Sequence, residues 1–138
     1  DVYKRQVDYI VKASAESVEE VLKITNGSLC DAVFDASGNK YALEACPDYM
    51  SHGGRVVLVG LSKGELTYSH PKIHAKEMTL MCSRNATTED FEYVISVLNQ
   101  FPTESFITHS VDFTEMIENF DSWLDPKTGV IKATVSFN

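Results

Sequence analysis

The chain reads as an α/β protein built on a parallel sheet, and three observations predict this. Short β-prone runs alternate with segments of helical period from Val7 to Pro102. Parallel neighbours need crossovers, usually helical, so the alternation favours a parallel sheet over an antiparallel one. The run RVVLVG (55–60) is apolar on both faces, as strands buried between helix layers are. The last third departs from this pattern. Its two strands flank one helix and are expected to belong to another sheet.

Taken in order, VDYIV (7–11) is a short β-prone run. In SAESVEEVLKITNG the period changes, and Val18, Val21, Leu22 and Thr25 share one helical face. Ser17 with Glu20 is read as a capping box, and Gly27 as the stop. CDAVFDASG (30–38) is an apolar strand closing on a turn. NKYALEACPDYMS is helical, with Pro47 expected to kink or shorten it by removing a backbone donor. The strand RVVLVG follows a Gly53–Gly54 pair, read as the point where that helix stops and turns into the strand. HPKIHAKE forms one or two helical turns, and MTLMCS another short strand. In NATTEDFEYVISVLNQFP, Thr87 or Thr88 caps a helix whose first turn is acidic. Its apolar face carries Phe91, Val94, Ile95, Leu98 and Phe101, and Pro102 ends it. FITHSVDF is a strand, TEMIENFDSWL a helix with Met116, Ile117, Phe120 and Leu124 on one face, and GVIKATVSF a final strand.

Composition excludes several functions. The 138 residues are 43% hydrophobic and 23% charged, which is a globular composition. A formal charge of −8 repels phosphate backbones, and the basic residues form no stripe, so nucleic acid is not expected as a partner. No apolar run approaches the ~20 residues that cross a bilayer, so no membrane is expected either. Three dispersed cysteines, Cys30, Cys46 and Cys82, make neither a disulfide framework nor a zinc pair, and read as buried thiols of a reducing, cytoplasmic compartment. DVYKRQ (1–6) carries no initiator Met and no signal-peptide pattern, and is read as an appended leader.

The histidines and acids form no catalytic constellation. His52 is read as a helix-end cation, His70 and His74 as flanking a short surface helix whose regularity Pro71 breaks, and His109 as structural. Glu89, Asp90 and Glu92 are solvated charges at a helix start. Asp35, ending the strand before Ala-Ser-Gly, suits a turn or cap role.

The glycines invite a phosphate-loop reading, and spacing defeats it. A dinucleotide fingerprint needs G-x-G-x-x-G between a first strand and its helix. Here Gly53–Gly54 precedes a strand, while Gly60 and Gly64 follow with three residues between them. Gly60 instead sits at the carboxyl end of a buried strand, the edge where open α/β sheets hold ligands. The absent side chain is expected to let a ligand approach the backbone there.

FDASGN, HGGRVVLVGLSKGE, KEMTLMCSRNATTEDF, ITHSVDF and GVIKATVSF come in the order found in medium-chain zinc-type alcohol and polyol dehydrogenases, and from Val7 onward the chain resembles that family. VGLSKGE and SRNATTEDF are most similar to the sugar-acid branch, the L-galactonate and L-gulonate 5-dehydrogenases, with sorbitol and threonine dehydrogenases near alternatives. The resemblance implies a partial Rossmann domain, a doubly wound parallel sheet lacking its first two strands, over residues 7–104. It implies that residues 105–138 are a tail returning to a catalytic domain that is not in this sequence. VDYIV would be the third Rossmann strand, CDAVFDA the fourth, RVVLVG the fifth and MTLMCS the sixth. In the order 3-2-1-4-5-6, the missing strands would leave a gap of roughly 14 Å beside the fourth. VDYIV is therefore expected either to pair directly with CDAVFDA or to sit loosely, leaving an edge prone to pairing.

The same resemblance places the site. Val59, Gly60 and Leu61 would lie against the nicotinamide, their backbone groups holding its carboxamide. Cys82, Ser83 and Arg84 would do so from the next strand end, with Cys82 where the family pattern has a glycine. Arg84 would also line the substrate pocket, its fork suited to a hydroxyl or a sugar-acid carboxylate. Ala36, Ser37 and Gly38 would border the ribose and adenine side, and Lys132 would reach the pyrophosphate from the tail. No catalytic and no metal-ligating residue is expected in this sequence; zinc would belong to the absent domain.

The reading that results is part of an NAD- or NADP-dependent dehydrogenase that oxidises a secondary alcohol of a polyol or sugar acid. The chain is expected to be inactive alone, to bind dinucleotide weakly, and to be homo-oligomeric in the intact enzyme. The competing reading is a non-catalytic Rossmann-like nucleotide-binding or interaction module.

Overall fold

The computed structural model describes residues 7–137. The leader assigned to residues 1–6 lies outside the described residues. By contact, the chain groups into a unit spanning Tyr9–Asn85 and a second unit from Ala86 onward. The sequence reading divides the chain at 104. By contact, the helix before that point goes with the residues that follow it.

The first unit is built on three parallel strands in the order β1 (Cys30–Asp35), β2 (Met50–Leu58), β3 (Thr79–Cys82). Helix α2 (Lys40–Ala45) and a 3-10 turn (Cys46–Tyr49) connect the first pair, and α3 (His70–Ala75) precedes the third strand. Asn39 starts α2 by accepting from the amides of Tyr41 and Ala42 at 2.9 and 3.3 Å. Pro47 ends the α-helix as expected and opens the 3-10 turn. Register sets Val33, Val56 and Leu80 side by side, and after them Asp35, Leu58 and Cys82. Alternation puts both rows on one face. That face carries the core: Met50, Val56 and Cys46 are buried together, with Val33, Leu58 and Met78 packed against them. The opposite face aligns Phe34, Val57 and Met81. It leaves Phe34 at 67% and Met81 at 46% exposure, so the sheet is not covered on both sides as RVVLVG suggested.

Four local expectations are corrected. VDYIV forms no strand, and β1 pairs with β2 alone, which is the looser of the two expected outcomes. Apolar β-branched residues favour a strand only where a partner ladder exists. Ser17 does not cap α1 (Ser17–Ile24). It is the first helical residue, and its hydroxyl donates to the Ser14 carbonyl at 2.8 Å and meets the Tyr49 hydroxyl at 2.7 Å. The stop is a Schellman motif with Asn26 left-handed at φ 53°: the Gly27 amide reaches the Leu22 carbonyl at 2.7 Å and the Asn26 amide the Lys23 carbonyl at 3.2 Å. Gly53–Gly54 does not stop a helix. Both glycines lie inside β2, in a bulge where Cys30 faces Met50 but Ala32 already faces Arg55. Gly53 takes φ 73°, and a Cβ on Gly54 would fall 3.0 Å from the Asp31 carbonyl oxygen. His52 sits in this bulge, Nε2 3.0 Å from Glu77 Oε2, so it is not a helix-end cation.

In the second unit, α4 (Thr88–Val97) opens with Thr87 in a full capping box with Asp90. Strands β4 (Ile107–Asp112) and β5 (Lys132–Ser136) pair in parallel around the crossover helix α5 (Met116–Leu124), the separate sheet the sequence predicts. No described helix is long and apolar enough to cross a membrane.

Candidate functional site

The carboxyl ends of β1, β2 and β3 carry nine of the ten residues singled out from sequence, all in the first unit. The turn after β1 is organised by Asp35, only 7% exposed. Its Oδ1 accepts the amides of Ser37 and Gly38 at 3.1 and 3.0 Å, and its Oδ2 the Ser37 hydroxyl at 2.8 Å. Ser37 Oγ in turn accepts the Asn39 amide at 3.1 Å, so the turn runs directly into the cap of α2. Asp35 thus has the turn role that sequence assigns it.

The main-chain carbonyl of Asp35 accepts two further amides, Val59 at 2.9 Å and Gly60 at 2.7 Å. The turns after β1 and β2 are thereby locked together. A Cβ on Gly60 would lie 2.2 Å from the Gly38 nitrogen and 2.7 Å from Asp35 Oδ1, and one on Gly38 would lie 2.7 Å from the Leu61 carbonyl oxygen. The missing side chain of Gly60 is therefore required by the neighbouring turn rather than by a ligand, which corrects the sequence argument for this glycine. The amides of Val59 and Gly60 are thus both engaged by Asp35.

A cleft of about 270 Å3 lies at the ends of β2 and β3, bounded by Leu58 and Val59 to Leu61 on one side and Cys82, Ser83 and Arg84 on the other. Leu43 of α2, 1% exposed, and Leu66 also line it. The Ser83 amide donates to the Leu58 carbonyl at 3.0 Å, which carries the β2–β3 ladder one step beyond the strands. The far end of the connection after β2 is tied to α2: Glu44 Oε1 accepts the Thr67 amide at 2.8 Å, and the Tyr68 hydroxyl donates to the Leu43 carbonyl at 3.3 Å. Burial first, then the nearby Cys46 and Glu44, raises the Tyr68 phenol above its ordinary value, so it remains a donor at neutral pH. Sequence reasoning missed Leu43, Leu66 and these ties; the Asn39 cap followed by an apolar period is the signal that points to α2.

Ala36, Ser37 and Gly38 do not line this cleft; of the three, Gly38 packs against Gly60, which does. Cys82 and Arg84 are exposed. Lys132 belongs to the second unit, exposed on β5 with its backbone opposite Ile107. Of the cysteines only Cys46 is buried, so the expectation of three buried thiols holds for one; burial, then the charge of Asp35, pushes its thiol up. His70 and His74 lie with ring centroids 5.6 Å apart, and among the described residues no group of three His, Cys, Asp or Glu side chains is placed to hold a metal ion.

A parallel sheet with a ligand-sized cleft at its carboxyl edge defines a Rossmann-like class of α/β protein. The chain belongs to the zinc-binding dehydrogenase family, which matches residues 3–100. It is 37% identical to the L-galactonate-5-dehydrogenase of Escherichia coli K12 across 93% of its own length and 38% of that enzyme's. It is 28% identical to an NAD-dependent alcohol dehydrogenase of Sulfurisphaera tokodaii, across 83% of the chain and 33% of the relative. Among solved structures, an E. coli CFT073 short chain alcohol dehydrogenase complexed with NADH superposes at TM-score 0.81, with 24% identity over 98% of this chain and 40% of that one. The 2R,3R-butanediol dehydrogenase of Bacillus subtilis superposes at 0.77, with 20% identity over 97% and 37%. The chain therefore spans less than two-fifths of the length of these curated relatives.

Proposed function

We propose that this chain supplies the nicotinamide-side wall of the cofactor site in an NAD(P)-dependent zinc-type dehydrogenase acting on a secondary alcohol of a polyol or sugar acid. The observation that carries it is the convergence of the ends of β2 and β3 on one cleft that Leu43 of α2 also lines. A carboxamide donates two N–H groups, and the carbonyls of Val59, Gly60 and Cys82 are acceptors of matching chemistry. Leu43, Leu58 and Leu66 give the apolar surroundings that a flat ring fills. A dinucleotide held here would supply hydride-accepting chemistry, which is the cofactor's own. This chain's residues orient it and keep water from one side. Arg84 at the cleft mouth suits a substrate hydroxyl or carboxylate by forked hydrogen bonding. Lys132 is proposed as a pyrophosphate contact, and zinc as the property of a part of the enzyme outside these residues. The homo-oligomer and the cytoplasmic location expected from sequence remain parts of this proposal.

The test is a fluorescence titration of the chain with NADH and NADPH. Weak saturable binding is expected, displaced by excess nicotinamide mononucleotide and lost in Leu43→Arg, where a charge enters the buried wall. Binding that persists unchanged in Leu43→Arg, or none at millimolar cofactor, overturns the cleft assignment. Alcohol turnover by this chain alone would overturn the division of labour.

A further inference from the structure

We propose that Asp35 is the positioning residue of the cleft, fixing the Val59–Gly60–Leu61 wall through the turn at Ser37 and Gly38. Its significance for cofactor binding rests on the reading given above. Two independent connections leave this one residue. The main-chain carbonyl holds the amides of Val59 and Gly60 at 2.9 and 2.7 Å. The carboxylate holds Ser37 and Gly38 through three contacts of 2.8–3.1 Å. Gly38 then occupies the space where a Gly60 side chain would be, and Leu61 the space where a Gly38 side chain would be. The wall is thus clamped from below by Asp35's backbone and from the side by the turn that its carboxylate shapes. Through Ser37 Oγ the same carboxylate reaches the Asn39 cap, and so α2. Glu44 and Leu43 on α2 hold the other end of the connection after β2, at Thr67 and Tyr68. Both ends of the segment that frames the cleft therefore trace back to DASGN.

Both oxygens of the Asp35 carboxylate accept in this arrangement. Oδ1 receives two amides while Oδ2 receives a hydroxyl whose oxygen already accepts the Asn39 amide. Asparagine keeps the first acceptor and presents N–H groups in place of the second. The Ser37 hydroxyl must then accept where it had donated, the charge-assisted bond is lost, and the turn loosens. A residue that only capped its own turn would affect residues 36–38 and nothing across the gap.

Amide exchange on the isotope-labelled chain reads the difference. In Asp35→Asn, exchange is expected to quicken about tenfold at Ser37 and Gly38 and also at Val59 and Gly60, with Val56 and Val57 in mid-strand within about twofold of wild type. Ser37→Ala removes one arm of the network. It should give the same pattern at smaller amplitude, and it keeps the question open to measurement if Asp35→Asn does not fold. NADH affinity should fall about tenfold in Asp35→Asn. Quickened exchange confined to residues 36–38 overturns the proposal. So does unchanged NADH affinity in a variant whose Val59 and Gly60 amides have loosened. If the wild-type chain binds no NADH, the cofactor reading fails by itself, and the exchange pattern alone decides whether Asp35 positions the wall.

Discussion

Replacing Gly60 by alanine adds one methyl group at the point where two turns touch, and the structure sets its cost. The new Cβ would lie 2.2 Å from the Gly38 nitrogen, 2.7 Å from the Gly38 Cα and 2.7 Å from Asp35 Oδ1. Ordinary van der Waals contact begins near 3.4 Å, so the turn must retreat by about 1 Å. Two of the three atoms are backbone, and the third is a buried carboxylate engaged in three hydrogen bonds, so no flexible side chain can absorb the shift. Gly60 does not have a left-handed φ, and the whole penalty is therefore contact rather than backbone strain. Overpacking of this kind costs about 1–3 kcal/mol, and loosening a charge-assisted hydrogen bond adds about 1.5–3 kcal/mol. A loss of about 3 kcal/mol is expected, lowering the midpoint of thermal unfolding by about 10–20 °C for a unit of this size. Gly64→Ala is the control: Gly64 has φ 105° and nothing within 4 Å of its Cβ position, so it carries only left-handed strain, about 1 kcal/mol. Circular-dichroism melting of the two variants decides the matter. A Gly60→Ala midpoint equal to or above that of Gly64→Ala would refute the argument that Gly38 fills the space.

Two further outcomes are expected. With a thiol reagent at neutral pH, Cys82 should label rapidly and Cys46 only after unfolding, because one is exposed and the other is buried with its thiol pKa raised; NADH should slow labelling of Cys82 alone. Slow labelling of Cys82 in the free chain would contradict its exposure. At the start of α4, hydrogen bonds from the Thr87 amide and then its hydroxyl hold Asp90 below its ordinary value of 3.8. The folded form has the lower pKa, so the capping contribution is complete above about pH 4 and is lost as pH falls through the lowered value. Thr87→Ala removes the hydroxyl arm, so the Asp90 carboxyl, followed by NMR titration, should move up toward 3.8, and an unchanged titration would sink the assignment.

What the sequence made legible was whatever a few adjacent residues decide by themselves. The cap of α4 is an example: Thr87 and Asp90 are three residues apart, and their hydrogen bonds need nothing else. Asp35 as a turn residue and Pro47 as the end of an α-helix are local in the same sense. Ser17 looked equally local and was misread, because its hydroxyl is taken by Tyr49, 32 residues away. VDYIV has strand composition, yet a strand is a property of a pair, and its neighbour is β-ladder that the described residues do not provide. Gly53–Gly54 could end a helix or bulge a strand with equal local logic. The choice falls to the register between β1 and β2, which no local pattern contains.

Gly60 shows how a glycine can be singled out from sequence for a mistaken reason. A glycine at a strand's carboxyl end marks the close approach of another group to the backbone, and that much is written in the residue type. The identity of that group is not. It follows from Asp35 standing opposite Leu58 in the β1–β2 ladder, which brings the Ala-Ser-Gly turn beside the residues that follow β2. Because the turn already fills the space, a ligand at this edge cannot lie where the side chain of residue 60 would be. Val59, Gly60 and Leu61 line the cleft beside it, and on the proposal above their position depends on how firmly Asp35 holds the turn. The glycine thus contributes to the cleft indirectly, by letting two turns close into one rigid wall, and the polar chemistry of that wall belongs to the backbone.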